Sequence, residues 1–329
     1  MIKRTLGRSG IEVSALGLGC WAIGGPFTLD GKADGWGQID DAESLNAIHQ
    51  AIELGVSFFD TADAYGTGHS ERVLGQALRG RREHVVVATK FGFVYDEQRK
   101  EVGGTDTSPA YIRRACEASL RRLQTDYIDL YQLHVGDVPP EQSGPIWQTL
   151  DQLREEGKIR AYGLSTWDAA QVRAFAAQSS GAAVQHPANL LLDASEVFAA
   201  CAEHGLASIN NSPLAMGLLS GKFSAGTRLP SDDVRGSGHS WVAYFADGRP
   251  RPELLARLAA VREILTADGR TLVQGALAWL WARSPLAIPI PGFKNMAQAA
   301  ENAAALHAAP LTAQQMREID DLLTIERHV

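Results

Sequence analysis

The sequence is poor in cysteine. Its 329 residues include three, Cys20, Cys116 and Cys201, far apart and without a Cys-x-x-Cys pair. That spacing offers neither a structural zinc site nor a disulfide framework, and it fits a reducing compartment. His69, His84, His186, His204 and His239 show no metal-ligand spacing either, so no metal is expected. No run of about 18 apolar residues is present to span a membrane. The opening stretch MIKRTLGRSGIEVSALGLG lacks the apolar core of a secretory signal, so the expected location is the cytoplasm. The net charge of −7 comes from interleaved acids and bases, with no basic block for nucleic acid and no acidic tail. Repeats, low-complexity blocks and Pro/Ser-rich linkers are also missing, so residues 1–329 read as one domain.

What the chain does have is a large apolar fraction, 45%, and a regular alternation. Residues 3–14 read as a short hairpin turning at Arg8-Ser9-Gly10, and 15–19 as a first buried strand. Helix 41–55 follows. Strand-like runs then recur at 56–60, 85–89, 127–133, 159–164, 183–186, 206–210 and 286–290, with helical stretches between them. Helices are expected at 69–79, 108–122, 144–156, 168–178, 195–204, 253–266, 271–283, 294–304 and 312–324. Strict alternation calls for a parallel sheet with helices outside, and eight units favour closure into a barrel. The expected fold is therefore α/β: a (β/α)8 TIM barrel with an N-terminal β-hairpin. Two connections, 91–107 and 212–252, are too long for plain barrel turns and would overhang the C-terminal face of the strands.

That face is where such barrels keep their chemistry. Asp60 and Tyr65 stand just past one strand-like run, Lys90 past the next, and His134 past a third. A free phenol has a pKa of about 10 and is a poor acid at neutral pH; a neighbouring ammonium lowers that value. Lys90 is placed to be that ammonium, Asp60 to hold it, and His134 to steer an oxygen or a proton. Taken singly, each has a plainer reading as a loop cap, a turn cap or a solvated lysine. Gly17-Leu18-Gly19-Cys20-Trp21-Ala22 fits the loose dinucleotide pattern, but no helix opens at its end, so it reads as the first strand and its loop.

The set Asp60, Tyr65, Lys90 and His134 closely resembles the catalytic tetrad of the aldo-keto reductases. The resemblance covers nearly the whole chain: LGLGCW at 16–21, DTADAYGTGHSE at 60–71, VVVATK at 85–90, DYIDLYQLH at 126–134, GKIRAYGLS at 157–165, SPLAMGLLSGK at 212–222 and IPIPGFKNMAQAAEN at 288–302. It implies NADPH bound without a Rossmann domain, and carbonyl reduction with Tyr65 as proton donor. It carries cofactor contacts onto Gly19, Cys20, Trp21 and Asp60, and onto Ser165, Thr166 and Gln185 at the carboxamide. Asn211 stands where many members place a Tyr beneath the nicotinamide. Ser212, Pro213, Leu214, Met216, Gly217, Leu218, Ser220 and Lys222 match the pyrophosphate loop. Gly292, Phe293 and Lys294 match the 2′-phosphate end, and Gln298, Glu301 and Asn302 the adenine side. Substrate contacts are expected from Trp21, Tyr65, Phe91, His134 and Trp241. The expected partner is a small carbonyl or alcohol, with no nucleic acid and no membrane. Two alternatives stay open: the reverse oxidation of a secondary alcohol, and a nicotinamide-binding sensor subunit, since potassium-channel β subunits resemble the same family.

Overall fold

The structure is a computed structural model that describes residues 2–325. Eight parallel strands form one sheet in chain order: β1 Leu18–Gly19, β2 Phe58–Asp60, β3 Val86–Phe91, β4 Ile128–Leu133, β5 Ile159–Ser165, β6 Ala183–Pro187, β7 Ala207–Asn211 and β8 Ala287–Pro289. Backbone bonds from Gly17 N to Pro289 O and from Gly19 N to Pro291 O, both 3.0 Å, tie the first strand to the last and close a (β/α)8 barrel. Ten helices accompany them among the described residues: α1 Asp41–Glu53, α2 His69–Ala77, α3 Pro109–Leu123, α4 Gly144–Glu155, α5 Ala169–Gln178, α6 Ser195–Glu203, α7 Pro252–Thr266, α8 Leu272–Arg283, α9 Met296–Ala304 and α10 Ala313–Ile325.

Local chemistry sets these boundaries. Asp40 caps α1 by accepting from Ala42 N and Glu43 N, and Ser44, Ala47, Ile48 and Ala51 form its buried face. Ser108 caps α3 ahead of Pro109, and Thr271 and Gln274 make a reciprocal capping box on α8. One apolar layer lies between strands and helices, with Phe59, Phe91, Tyr131 and Tyr162 in it; a second fills the barrel, with Phe58, Leu130, Ile209 and Ile288. The N-terminal hairpin, Lys3–Thr5 with Glu12–Ser14, plugs the lower end. Its turn runs so close to the barrel that a Cβ on Gly7 would sit 2.1 Å from Ala182 O.

The two long connections are more ordered than the sequence reading expects. Segment 91–107 folds into strands Phe93–Asp96 and Glu101–Thr105, which join Thr28–Leu29 and Lys32–Ala33 in a four-stranded sheet. Segment 212–252 carries a second hairpin, Phe245–Ala246 with Arg249–Pro250, around Asp247-Gly248 in left-handed conformation. Among the described residues no helix is long and apolar enough to cross a membrane.

Candidate active site

The strand pattern alone places the first side chains. Along β3 and β4 Lys90 is the register partner of Gln132, and both reach the barrel axis at Asp60. Lys90 is fully buried. Its Nζ donates to Asp60 Oδ1 at 2.5 Å, to Thr61 O at 2.9 Å and to Tyr65 OH at 3.2 Å, which uses the three protons of the ammonium. Asp60 Oδ2 accepts from Gln132 Nε2 at 3.0 Å and Gln185 Nε2 at 2.7 Å. His134 follows the end of β4, its backbone N–H donating to Phe91 O at 2.9 Å. Its ring meets Tyr65 edge-on at 5.8 Å, and Phe93 at 5.0 Å. The four side chains thus converge at the C-terminal rim.

Electrostatics define their states. Burial raises the Tyr65 phenol, the Lys90 charge pulls it back and Asp60 pushes it up; the net lies above the ordinary phenol value. The lowering by Lys90 that the sequence suggests is therefore present but outweighed by desolvation, which leaves Tyr65 a protonated donor. For Lys90 burial works downward, but Asp60 and Tyr65 together raise it, so it stays an ammonium. His134 is pushed well below the usual histidine value by burial and then by Lys90, so it is a neutral imidazole. Its Nδ1 is buried with no partner.

Around the phenol stands an aromatic wall. Trp21 stacks on Tyr65 with centroids 5.9 Å apart, meets the edge of Trp36 at 5.2 Å and leans on Trp241 at 6.0 Å. Its Nε1 donates to Asp34 O at 3.0 Å. The Asp34 carboxyl faces His239 at 3.4 Å, and His239 stacks on Trp241. Burial, then Asp30, pushes Asp34 up to about 7, and burial lowers His239, so both favour their neutral forms.

The expected cofactor groove fits an anionic ligand. Ser212, Ala215, Met216 and Gly217 have positive φ, so the backbone turns tightly there. Lys222 is lowered by burial and then by the nearby charges of Arg235 and Lys294, a crowding of cations that an anion would relieve. Lys294 Nζ donates to Trp36 O at 2.7 Å. The helix beyond it starts at Met296, later than the sequence suggests, because Asn295 is its cap. Its early N–H groups are partly taken: Met296 N donates to Glu43 Oε1 and Gln298 N to Asn295 Oδ1, while the Gln298 amide oxygen accepts from Lys294 N. Asn302 Nδ2 holds Gly292 O at 3.2 Å.

Other expected residues are placed differently from their simplest reading. Phe91 is fully buried against Tyr131 in the helix-side layer, because inward Lys90 forces its neighbour outward; Phe93 is the ring that faces His134. The Cys20 and Phe293 side chains are buried in the same layer, leaving only their backbone to face a ligand. Gln185 spends an amide proton on Asp60. Trp241 remains 46% exposed at the mouth. Sequence reading missed Gln132, Trp36, Asp34 and the Asp233–Arg235 pair. For Gln132 a signal existed: it alternates with Leu130 and His134 on one face of β4. Among the described residues no group of three or more His, Cys, Asp or Glu converges as a metal site.

A closed α/β barrel with a buried Lys–Asp pair beneath a phenol and a neutral imidazole defines a class of barrel oxidoreductase. The profile of the Aldo/keto reductase family matches residues 15–324, and the chain belongs to that family of NADP(H)-dependent oxidoreductases. It is 31% identical over 322 residues to the "Uncharacterized oxidoreductase YqkF" of Bacillus subtilis (strain 168), covering 97% of this chain and 95% of that one. Among solved structures it resembles the glycerol dehydrogenase AKR11B4 from Gluconobacter oxydans, with TM-score 0.80, 30% identity, and 97% and 93% of the two chains covered. It also resembles an aldo-keto reductase from Klebsiella pneumoniae in complex with NADPH, with TM-score 0.69, 28% identity, and 98% and 96% covered.

Proposed function

We propose that this protein reduces an aldehyde or ketone to an alcohol with Tyr65 as the proton donor. The observation that carries the reading is the contact of Lys90 Nζ with both Asp60 and Tyr65 inside a buried site. NADPH, when bound, supplies the hydride. Tyr65 delivers the proton to the carbonyl oxygen, and Lys90 beneath it stabilises the phenolate left behind. Neutral His134 orients that oxygen from the other side without competing for the proton. Trp21, Phe93 and Trp241 keep water from the developing alkoxide. Ser165, Asn211 and Gln185 line the nicotinamide end. Lys222 and Lys294 serve the phosphates, as they would in a relative solved with NADPH.

The second reading is the same site run toward the carbonyl, oxidising a small polyol or other secondary alcohol; the likeness to a glycerol dehydrogenase supports it. One assay separates these from a sensor role. The protein is mixed with NADPH and a panel of aldehydes and ketones, or with NADP+ and alcohols, while nicotinamide absorbance is followed. Turnover on carbonyls is expected. Tight NADPH binding without turnover on any compound would instead favour the sensor.

A further inference from the structure

Trp36 lies outside the tetrad, yet it is held from several directions. Its backbone pairs with Asp233 in an antiparallel bridge, and Val234 N donates to Gly35 O at 2.9 Å. Its carbonyl takes the Lys294 ammonium at 2.7 Å. Its ring lies under the Arg235 guanidinium, whose Cζ is 4.6 Å from the ring centroid. Its edge meets Trp21 at 5.2 Å and 87°. Trp21 in turn stacks on Tyr65 at 24°.

Arg235 is the other end of this path. It is 9% exposed. Nε and Nη2 grip both oxygens of Asp233 at 2.8 and 2.6 Å, and Nη1 donates to Met216 O at 3.2 Å. Met216 and Gly217 have φ of 54° and 90°, so this bond fixes the tight part of the 212–222 loop. Three N–H groups of the guanidinium are thus engaged inside the protein, and one of its faces lies on Trp36. The residue is built as a joint between the phosphate loop and the indole.

We infer that Trp36 is a positioning residue: through Arg235 on one side and Trp21 on the other, it makes the wall that holds the substrate beside Tyr65 depend on the phosphate-gripping loop. The inference rests on the proposed reductase reading for its substrate arm. Small displacements of that wall matter because proton delivery requires the carbonyl oxygen at hydrogen-bond distance from the phenol. Two ties, Lys294 and Arg235, stop the indole from drifting; Asp34 O fixes the far end of Trp21 through its indole N–H.

The test uses the full chain and four variants: Trp36→Leu, Trp36→Phe, Arg235→Lys, and Arg235→Lys with Trp36→Leu. Cofactor Kd is read from NADPH fluorescence without substrate, and Tm is recorded for each. Trp36→Leu is expected to raise the carbonyl KM by about 10- to 100-fold with kcat and cofactor Kd little changed. Trp36→Phe keeps a ring edge against Trp21 and should recover most of the loss. Arg235→Lys should raise KM alone, yet add nothing in the Trp36→Leu background, as expected for two parts of one path. Additive effects, or KM losses that merely follow lost cofactor affinity or Tm, would overturn the inference. A second readout needs no turnover. Adding NADP+ should change the circular-dichroism exciton signal of the clustered indoles in the wild type and change it less in Arg235→Lys; an equal response in both also overturns it. If the wild type binds cofactor and shows this response but reduces no carbonyl, the reductase reading fails and the coupling stands.

Discussion

Gln185 Nε2 donates to Asp60 Oδ2 at 2.7 Å, so a residue the family resemblance assigns to the cofactor also holds the carboxylate that holds Lys90. Gln132 shares that oxygen from the neighbouring strand at 3.0 Å. Removing either amide leaves a buried carboxylate short of a donor. Gln132→Leu and Gln185→Leu are each expected to cost about 1–3 kcal/mol of stability, measured by urea unfolding. The two should differ in cofactor binding. Only Gln185→Leu is expected to weaken it, because Gln132 has no assigned cofactor contact. Unchanged midpoints in both variants would show that Asp60 does not rely on these amides.

The protonated state of Tyr65 gives a prediction with a sign. Tyr65→Phe removes the donor and should lower kcat for reduction by about 10²- to 10⁴-fold while leaving NADPH binding largely intact. In the wild type the phenol lies above its ordinary value, so reduction should lose its donor only above about pH 10. Oxidation of an alcohol needs the phenolate and should run the other way, rising with pH. Neutral His134 lies well below 6.5, so its protonation should add no acid limb around that pH. Undiminished reduction in Tyr65→Phe would end the proton-donor assignment.

The barrel was legible because its signals are local and repeated: apolar runs of strand length, each followed by a capped helix, eight times over. The tetrad was legible because strand ends mark the active face and its residue types are rare in combination. The pocket walls were harder. Phe91 and Phe93 are two residues apart, and their roles depend on where the strand ends. Lys90 faces inward, which sends Phe91 outward, while Phe93 lies past the end of β3, beside His134. The Asp247-Gly248 hairpin had a sequence signal that went unread within the long 212–252 segment. Arg235 on Trp36 had none, because their contact joins two loops far apart in sequence.

Asp34 offers a stability test. Its carboxyl is raised from 3.8 to about 7 by burial and by Asp30. Among its neighbours, His239 is itself favoured neutral, Lys32 acts on His239, and the Tyr65 phenol is protonated. The folded state therefore binds this proton more tightly than the unfolded chain does. Stability from this group is fully present below pH 3.8 and is lost as pH rises through about 7. The full linkage is at most about 4 kcal/mol. Asp34→Asn removes the linkage. It is expected to raise Tm relative to the wild type at neutral pH and to have a smaller effect, or the opposite one, at pH 4. An equal Tm difference at both values would mean that Asp34 ionises freely in the folded protein.

Lys294 bears on cofactor choice. Its ammonium donates to Trp36 O at 2.7 Å, close enough to Lys222 for the two charges to feel each other. A 2′-phosphate held there would gain a charge-assisted bond that NADH cannot make. Lys294→Met is expected to raise the NADPH Kd by about 10- to 100-fold, the equivalent of about 1.5–3 kcal/mol, and to leave the NADH Kd nearly unchanged. The variant also loses the tie to Trp36, but that tie serves both cofactors alike, so the ratio of the two Kd values isolates the phosphate. An unchanged ratio removes Lys294 from the 2′-phosphate site. A fall in both affinities together would assign it to holding Trp36 instead.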